Sequence, residues 1–137
     1  MSELHDHERQ GMPYEISMFT LPCGVRAARV KITGVFEGHE ARSAMGNWSP
    51  GGPLHGVPGL VLTQEVQAAT SEARSIFGGW KETSATEWFA VVVTSPILRV
   101  TGNFILRVSK STRRKMFTTE AEAIRWLDER ARESGAK

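Results

Sequence analysis

Most of the residues able to do chemistry in this chain are its four histidines and its one cysteine. His5 and His7 form a His-x-His pair, and imidazole nitrogens suit zinc, copper or nickel. The pair sits in the polar stretch MSELHDHERQ, which reads as a mobile arm and not as a metal site. His39 and His55 flank glycine-rich loops, and neither has a nearby cysteine or a spaced pair of carboxylates to complete a tetrahedral set. Cys23 lies in a Pro-Cys-Gly turn. Paired with a histidine it would be a nucleophile, but a lone cysteine between two strands is a slender basis for that. An enzyme would need a cleft where Cys23, His39 or His55 meets a carboxylate within hydrogen-bond reach. The loop GNWSPGGPLHG has the glycines of a phosphate cradle and lacks the G-x-x-x-x-G-K-[ST] arrangement that holds phosphate and metal. No paired acid and base, no metal spacing and no phosphate loop comes together, so the expectation is a protein without catalysis, cofactor or metal.

Other groups are suited to recognition. Thr70 or Ser71 can cap the helix SEARSIFGGW by accepting a backbone N–H, with Glu72 near the positive end of its dipole. Arg107, Lys110, Arg113, Arg114 and Lys115 concentrate positive charge at the exit of a later helix. Part of that charge complements the negative end of the helix dipole, and the surplus could meet an acidic protein surface, a phosphorylated group or anionic lipid. Trp48 opens the glycine-rich loop and, with Phe77, Trp80 and Phe104, could line an apolar pocket. A tryptophan in such a loop more often packs onto its own domain. Trp126, in the final helix, could anchor a partner.

These residues need elements to position them, and the pattern supplies an alternating series. Residues 1–12 form a flexible lead-in, and a single domain spans 13–134. Tyr14 to Thr20 reads as a half-buried strand, Pro-Cys-Gly as a turn, and Val25 to Val35 as a second strand with one wet face, which together predict a hairpin. GHEARSAMGNW predicts a short helix stopped by Gly46 and the Ser-Pro-Gly-Gly-Pro cluster. Gly59 to Thr63 is a compact apolar run expected at the centre of the sheet, covered on both faces. The helix from Ser71 ends at Gly78-Gly79, and Glu87 to Thr94 is the strongest strand signal in the chain. Ser95-Pro96 then starts a helix whose stripe of Ile97, Thr101, Phe104, Ile105 and Val108 is expected to cover the sheet. A short strand at Lys115 to Phe117 follows, and Thr119 with Glu122 forms a capping box for the last helix. The resulting class is an α/β sandwich with an N-terminal hairpin, about four helices and a mixed, mostly parallel sheet of about five strands.

Bulk properties agree. A chain of 137 residues with 40% hydrophobic and 23% charged residues suits one compact domain, and a net charge of +2 does not single out nucleic acid. Basic and aromatic residues are not interleaved as single-strand binders require, so nucleic acid is not expected as a partner. The polar start and the lack of a long apolar run give a cytoplasmic protein with no membrane span as the expectation.

The hairpin, the three β-α steps and the ending KMFTTEAEAIRWLDERARE resemble the bacterial STAS/SEC14-like proteins, small domains similar to the anti-sigma-factor antagonists. The resemblance runs from about Tyr14 to Glu133. It implies a cytoplasmic regulatory module that works through a protein partner or through self-association. In the antagonist branch a serine at the start of the second helix is phosphorylated and switches partner binding; here Ser71, or Thr70 beside it, matches that junction, without the Asp-Ser-x-Gly pattern. The SEC14-like branch implies the alternative, a small hydrophobic or lipid ligand held in the pocket between helices and sheet.

Overall fold

The computed structural model describes residues 14–79, 87–94 and 113–133. The hairpin forms as its pattern dictates. Strand β1, Tyr14–Thr20, pairs antiparallel with β2, Arg26–Phe36, across a turn in which Gly24 holds φ at +97°. That backbone region is open to glycine at little cost. Helix α1, Gly38–Met45, follows, with a single 3₁₀ turn at Gly46–Trp48. Strand β3 is Gly59–Ala69, helix α2 Ser71–Gly79, strand β4 Phe89–Val92, strand β5 Arg114–Phe117 and helix α3 Glu120–Glu133. The helix expected from Ser95-Pro96, with Phe104, Ile105, Arg107 and Lys110, lies outside the described residues, so three of the four expected helices are seen.

The five strands lie in the order β1-β2-β3-β4-β5, and β2 to β5 are parallel to one another. Parallel neighbours need crossovers, and right-handed crossovers that all step in one direction put their helices on one face. Accordingly α1 and α2 cover the same face. Ala41, Ala44 and Met45 of α1, Ala73 of α2, and Trp48 pack there on Ala28, Val30, Ile32, Val61, Phe89 and Val91. Helix α3 covers the other face, setting Ala123, Leu127 and Ala131 on Ala27, Leu60, Leu62, Ala90 and Val92. The alternation of Leu60, Val61 and Leu62 between the two cores places β3 at the centre, sealed on both sides, as its apolar run requires.

Strand β3 is longer than its apolar run. Beyond Leu62 it continues through Gln64 and Glu65 to Ala69, paired only with β2 among the described residues. Polar residues persist there because this two-stranded extension leaves a wet face, on which Lys31 Nζ meets Glu65 Oε2 at 3.1 Å. The pairing shifts register twice along the extension, and Gly34 takes φ +65° between the shifts, as bulged strands allow.

The glycine-rich loop is held firmly. Trp48 Nε1 donates to the Val57 carbonyl at 2.7 Å, its ring meets Phe89 edge-on at 5.1 Å, and the residue is 1% exposed. The fully buried Glu87 accepts the Gly56 N–H at 2.8 Å. A side chain at Gly59 would place its Cβ 2.7 Å from the Phe89 ring and 3.2 Å from Trp48, so the close approach of β3 to these rings needs glycine.

Candidate functional site

In an open parallel sheet the carboxyl ends of the strands, where helices begin, are the usual location for a site. Here β2 and β3 end side by side and feed α1 and α2. The Phe36 carbonyl accepts the Thr70 N–H at 3.0 Å, which locks the two strand ends in register. Gly38 is the first residue of α1, and it lies so close to α2 that any Cβ there would collide with the Glu72 side chain. Arg42 Nη1 reaches Glu72 Oε2 at 3.3 Å and ties the helices together one turn further on.

The two hydroxyls at the junction are divided between tasks. Thr70 Oγ1 accepts the Ala73 N–H at 3.1 Å, and the Thr70 carbonyl accepts the Arg74 N–H at 3.0 Å, so Thr70 is the N-cap of α2. Ser71 is the first helical residue and is exposed, and its hydroxyl makes no hydrogen bond among the described residues. Helix α1 has its own closure, in which Glu40 Oε1 accepts the Glu37 N–H at 2.8 Å. Three carboxylates, Glu37, Glu40 and Glu72, therefore stand around the paired helix starts and complement both dipoles. Among the described residues, Arg42 and Arg74 are the basic side chains of the two helices that share this surface with the three carboxylates, and the His39 ring nitrogens lie 3.8 Å from Glu37 and Glu40.

The basic cluster is split by strand geometry. Successive residues of β5 point to opposite faces, so Arg114 is buried at 5% exposure while Lys115 is exposed. The expectation of one continuous patch through Arg113, Arg114 and Lys115 is corrected accordingly: Arg114 belongs to the interior. Arg113 lies over the Trp88 ring at 5.3 Å and Lys115 over Phe117 at 5.7 Å. Trp88 and Phe117 both meet Trp126 of α3, at 5.8 and 5.7 Å between ring centroids, so the half-buried Trp126 joins this aromatic seam. Arg107 and Lys110 lie outside the described residues.

Of the residues expected around a pocket, Trp48 is packed into the core under α1. Phe77 belongs to α2, and Trp80 and Phe104 lie outside the described residues. Cys23 and His39 are separated by the sheet, Cys23 packing with the α3 core and His39 standing exposed on α1. No group of three or more His, Cys, Asp or Glu residues able to hold a metal occurs among the described residues; His5 and His7 are outside them.

One contact was invisible at the level of sequence. Asp128 of α3 accepts the backbone N–H of Cys23 at 2.8 Å and binds Arg132 Nε at 2.8 Å. The Arg132 guanidinium first, and the Cys23 N–H after it, hold the Asp128 carboxyl below its usual range, against the opposing effect of burial. Its only sequence signal was an aspartate on the inner side of a helix otherwise lined by alanine and leucine.

The family described as Domain of unknown function (DUF7793) matches residues 55–131, more than half of the chain, and the chain belongs to it. No curated protein matches it. Among solved structures, it is similar to an uncharacterized protein of the DUF3478 family with a SpoIIAA-like fold from Shewanella loihica PV-4. That likeness has a TM-score of 0.57 at 13% identity and covers 83% of this chain and 93% of the other. It bears out the STAS-like architecture. No helix among the described residues is long and apolar enough to cross a membrane.

Proposed function

We propose that this DUF7793 member is a regulatory binding module without catalysis of its own, and that it engages a protein partner through the surface where α1 and α2 begin, with Ser71 at its centre. The division of labour between Thr70 and Ser71 carries this reading. Thr70 already caps α2, so the exposed Ser71 hydroxyl is free of structural duty and stands at a helix start beside a second helix start. The SpoIIAA-like fold of a solved relative in shape supports a module of this type.

The chemistry of the surface narrows the partner. Glu37, Glu40 and Glu72 favour a partner presenting basic or hydrogen-bond-donating groups. A phosphate or aspartate at position 71 would add charge next to Glu72 and change the fit while leaving the cap in place.

The test is affinity capture by tagged full-length protein, comparing Ser71→Asp and Ser71→Ala with Lys115→Ala as a distant control. A stoichiometric partner lost or gained at least tenfold with Ser71→Asp, and unaffected by Lys115→Ala, is the expected result. Equal capture by all three variants removes Ser71 from the mechanism.

A further inference from the structure

The outer edge of β1 pairs with no strand among the described residues. Its seven residues, YEISMFT, contain one charged residue, Glu15, and neither proline nor lysine, the residues that most commonly blunt an exposed edge. The opposite edge strand, β5, has four residues, one of them the exposed Lys115. Met18 in β1 is 38% exposed, one of two large hydrophobic residues so exposed among those described.

The hydrogen-bond phase of the hairpin shows which backbone groups this edge offers. The Leu21 N–H donates to the Val25 carbonyl at 2.8 Å, so Leu21 turns its polar groups toward β2. Stepping back by two, Phe19, Ser17 and Glu15 do the same. The N–H and C=O groups of Tyr14, Ile16, Met18 and Thr20 therefore point outward.

We propose that β1 pairs antiparallel with β1 of a second copy across a two-fold axis at Ser17, joining two five-stranded sheets into one. This goes beyond the Ser71 reading and uses a different surface. A symmetric antiparallel pair must match outward residues with outward residues, and centring on Ser17 is the register that uses the whole strand. Tyr14 then faces Thr20 of the second copy and Ile16 faces Met18. With their symmetry mates these pairs exchange about eight backbone hydrogen bonds.

The side chains agree with that register on both faces. Ile16 against Met18 covers the exposed methionine with an apolar neighbour. On the α3 face Glu15 falls opposite Phe19 of the second copy, and that ring already carries the Arg29 guanidinium 4.5 Å from its centroid. Each copy thus sets a carboxylate beside the other's arginine, and the two Glu15 side chains are kept apart. Arg29 uses Nη2 for Glu120, at 2.9 Å, and its side chain remains 32% exposed. With so few residues involved the interface falls at the small end of specific interfaces, so association in the range of tens of micromolar is expected.

Sedimentation equilibrium of the full chain over 5–200 µM tests this. The expected result is a shift from 15.1 kDa toward twice that mass. Met18→Lys, which sets a charge on the edge, should weaken association at least tenfold with the fold unchanged by circular dichroism. The register is tested by Ser17→Cys in a Cys23→Ser background. On the axis the two Cα atoms are about 4.5 Å apart, within disulfide range, so mild oxidation should give a covalent dimer. A full chain that stays monomeric at 200 µM overturns the proposal, and this includes the case in which residues 1–13 cover the edge. A dimer insensitive to Met18→Lys and not crosslinked through residue 17 overturns it as well, because association then uses another surface. Neither result bears on partner capture through Ser71.

Discussion

The Asp128 carboxylate accepts the backbone N–H of Cys23 at 2.8 Å and so fastens α3 to the turn between β1 and β2. Arg132 and this N–H both favour the charged carboxylate, and its proton affinity in the folded protein lies below the usual 3.8. A carboxyl depressed by folding adds stability above its unfolded value and loses it as pH falls through that value toward the lowered one. Asp128→Ala should cost about 1–3 kcal/mol at pH 7. Urea unfolding should show that the gap from the parent protein narrows below about pH 4, where the unfolded carboxyl takes up its proton. A gap that is constant with pH would deny Asp128 this role.

Thr70 and Ser71 should separate cleanly in thermal melts. Loss of the cap in Thr70→Ala removes the acceptor for the Ala73 N–H and should destabilise by about 1 kcal/mol. Ser71→Ala removes an exposed hydroxyl and should stay within about 0.5 kcal/mol of the parent. The reverse order would mean that Ser71 is the structural member of the pair.

Gly59→Ala forces a methyl group between β3 and the Phe89 and Trp48 rings. Overpacking of this kind costs about 1–3 kcal/mol. The near-ultraviolet circular dichroism of the tryptophans reports it directly, since the edge-on pair of Trp48 and Phe89 must move apart.

Arg114 and Lys115 are neighbours with opposite surroundings. Lys115→Ala, at an exposed position, should change stability by less than about 0.5 kcal/mol, whereas Arg114→Ala withdraws a buried stem and should cost about 1–3 kcal/mol. Chemical denaturation of the two variants side by side is sufficient. Equal effects would contradict the split of the basic cluster between interior and surface.

Much of the architecture was legible because period and punctuation coincide. Tyr14 to Thr20 was bounded correctly, since alternation and a Pro-Cys-Gly turn act on the same few residues. Half of the expected capping box is present, with Thr119 Oγ1 accepting the Glu122 N–H at 3.2 Å, while Glu122 Oε1 accepts the Thr119 hydroxyl at 3.0 Å and not its backbone N–H. The end of β3 was not legible, because Gln64 and Glu65 look like loop residues until the solvated ladder with β2 is known. The split of Arg113, Arg114 and Lys115 depended on the strand starting one residue earlier than its apolar pattern suggested, at Arg114 instead of Lys115. Asp128 and Cys23 are 105 residues apart, and nothing local in either segment announces the bond. At the candidate site, the sequence supplied two hydroxyls, and only the placement of Thr70 Oγ1 showed which one remained available.

Because the strands stand side by side in the order in which they occur along the chain, none has to slip between two that have already joined. Each strand therefore has the strand before it in sequence as its neighbour, and the loops that the sheet must close are no longer than one crossover. The clasp between Asp128 and Cys23 is the exception, a bond across 105 residues that ties the far end of this series back to its beginning.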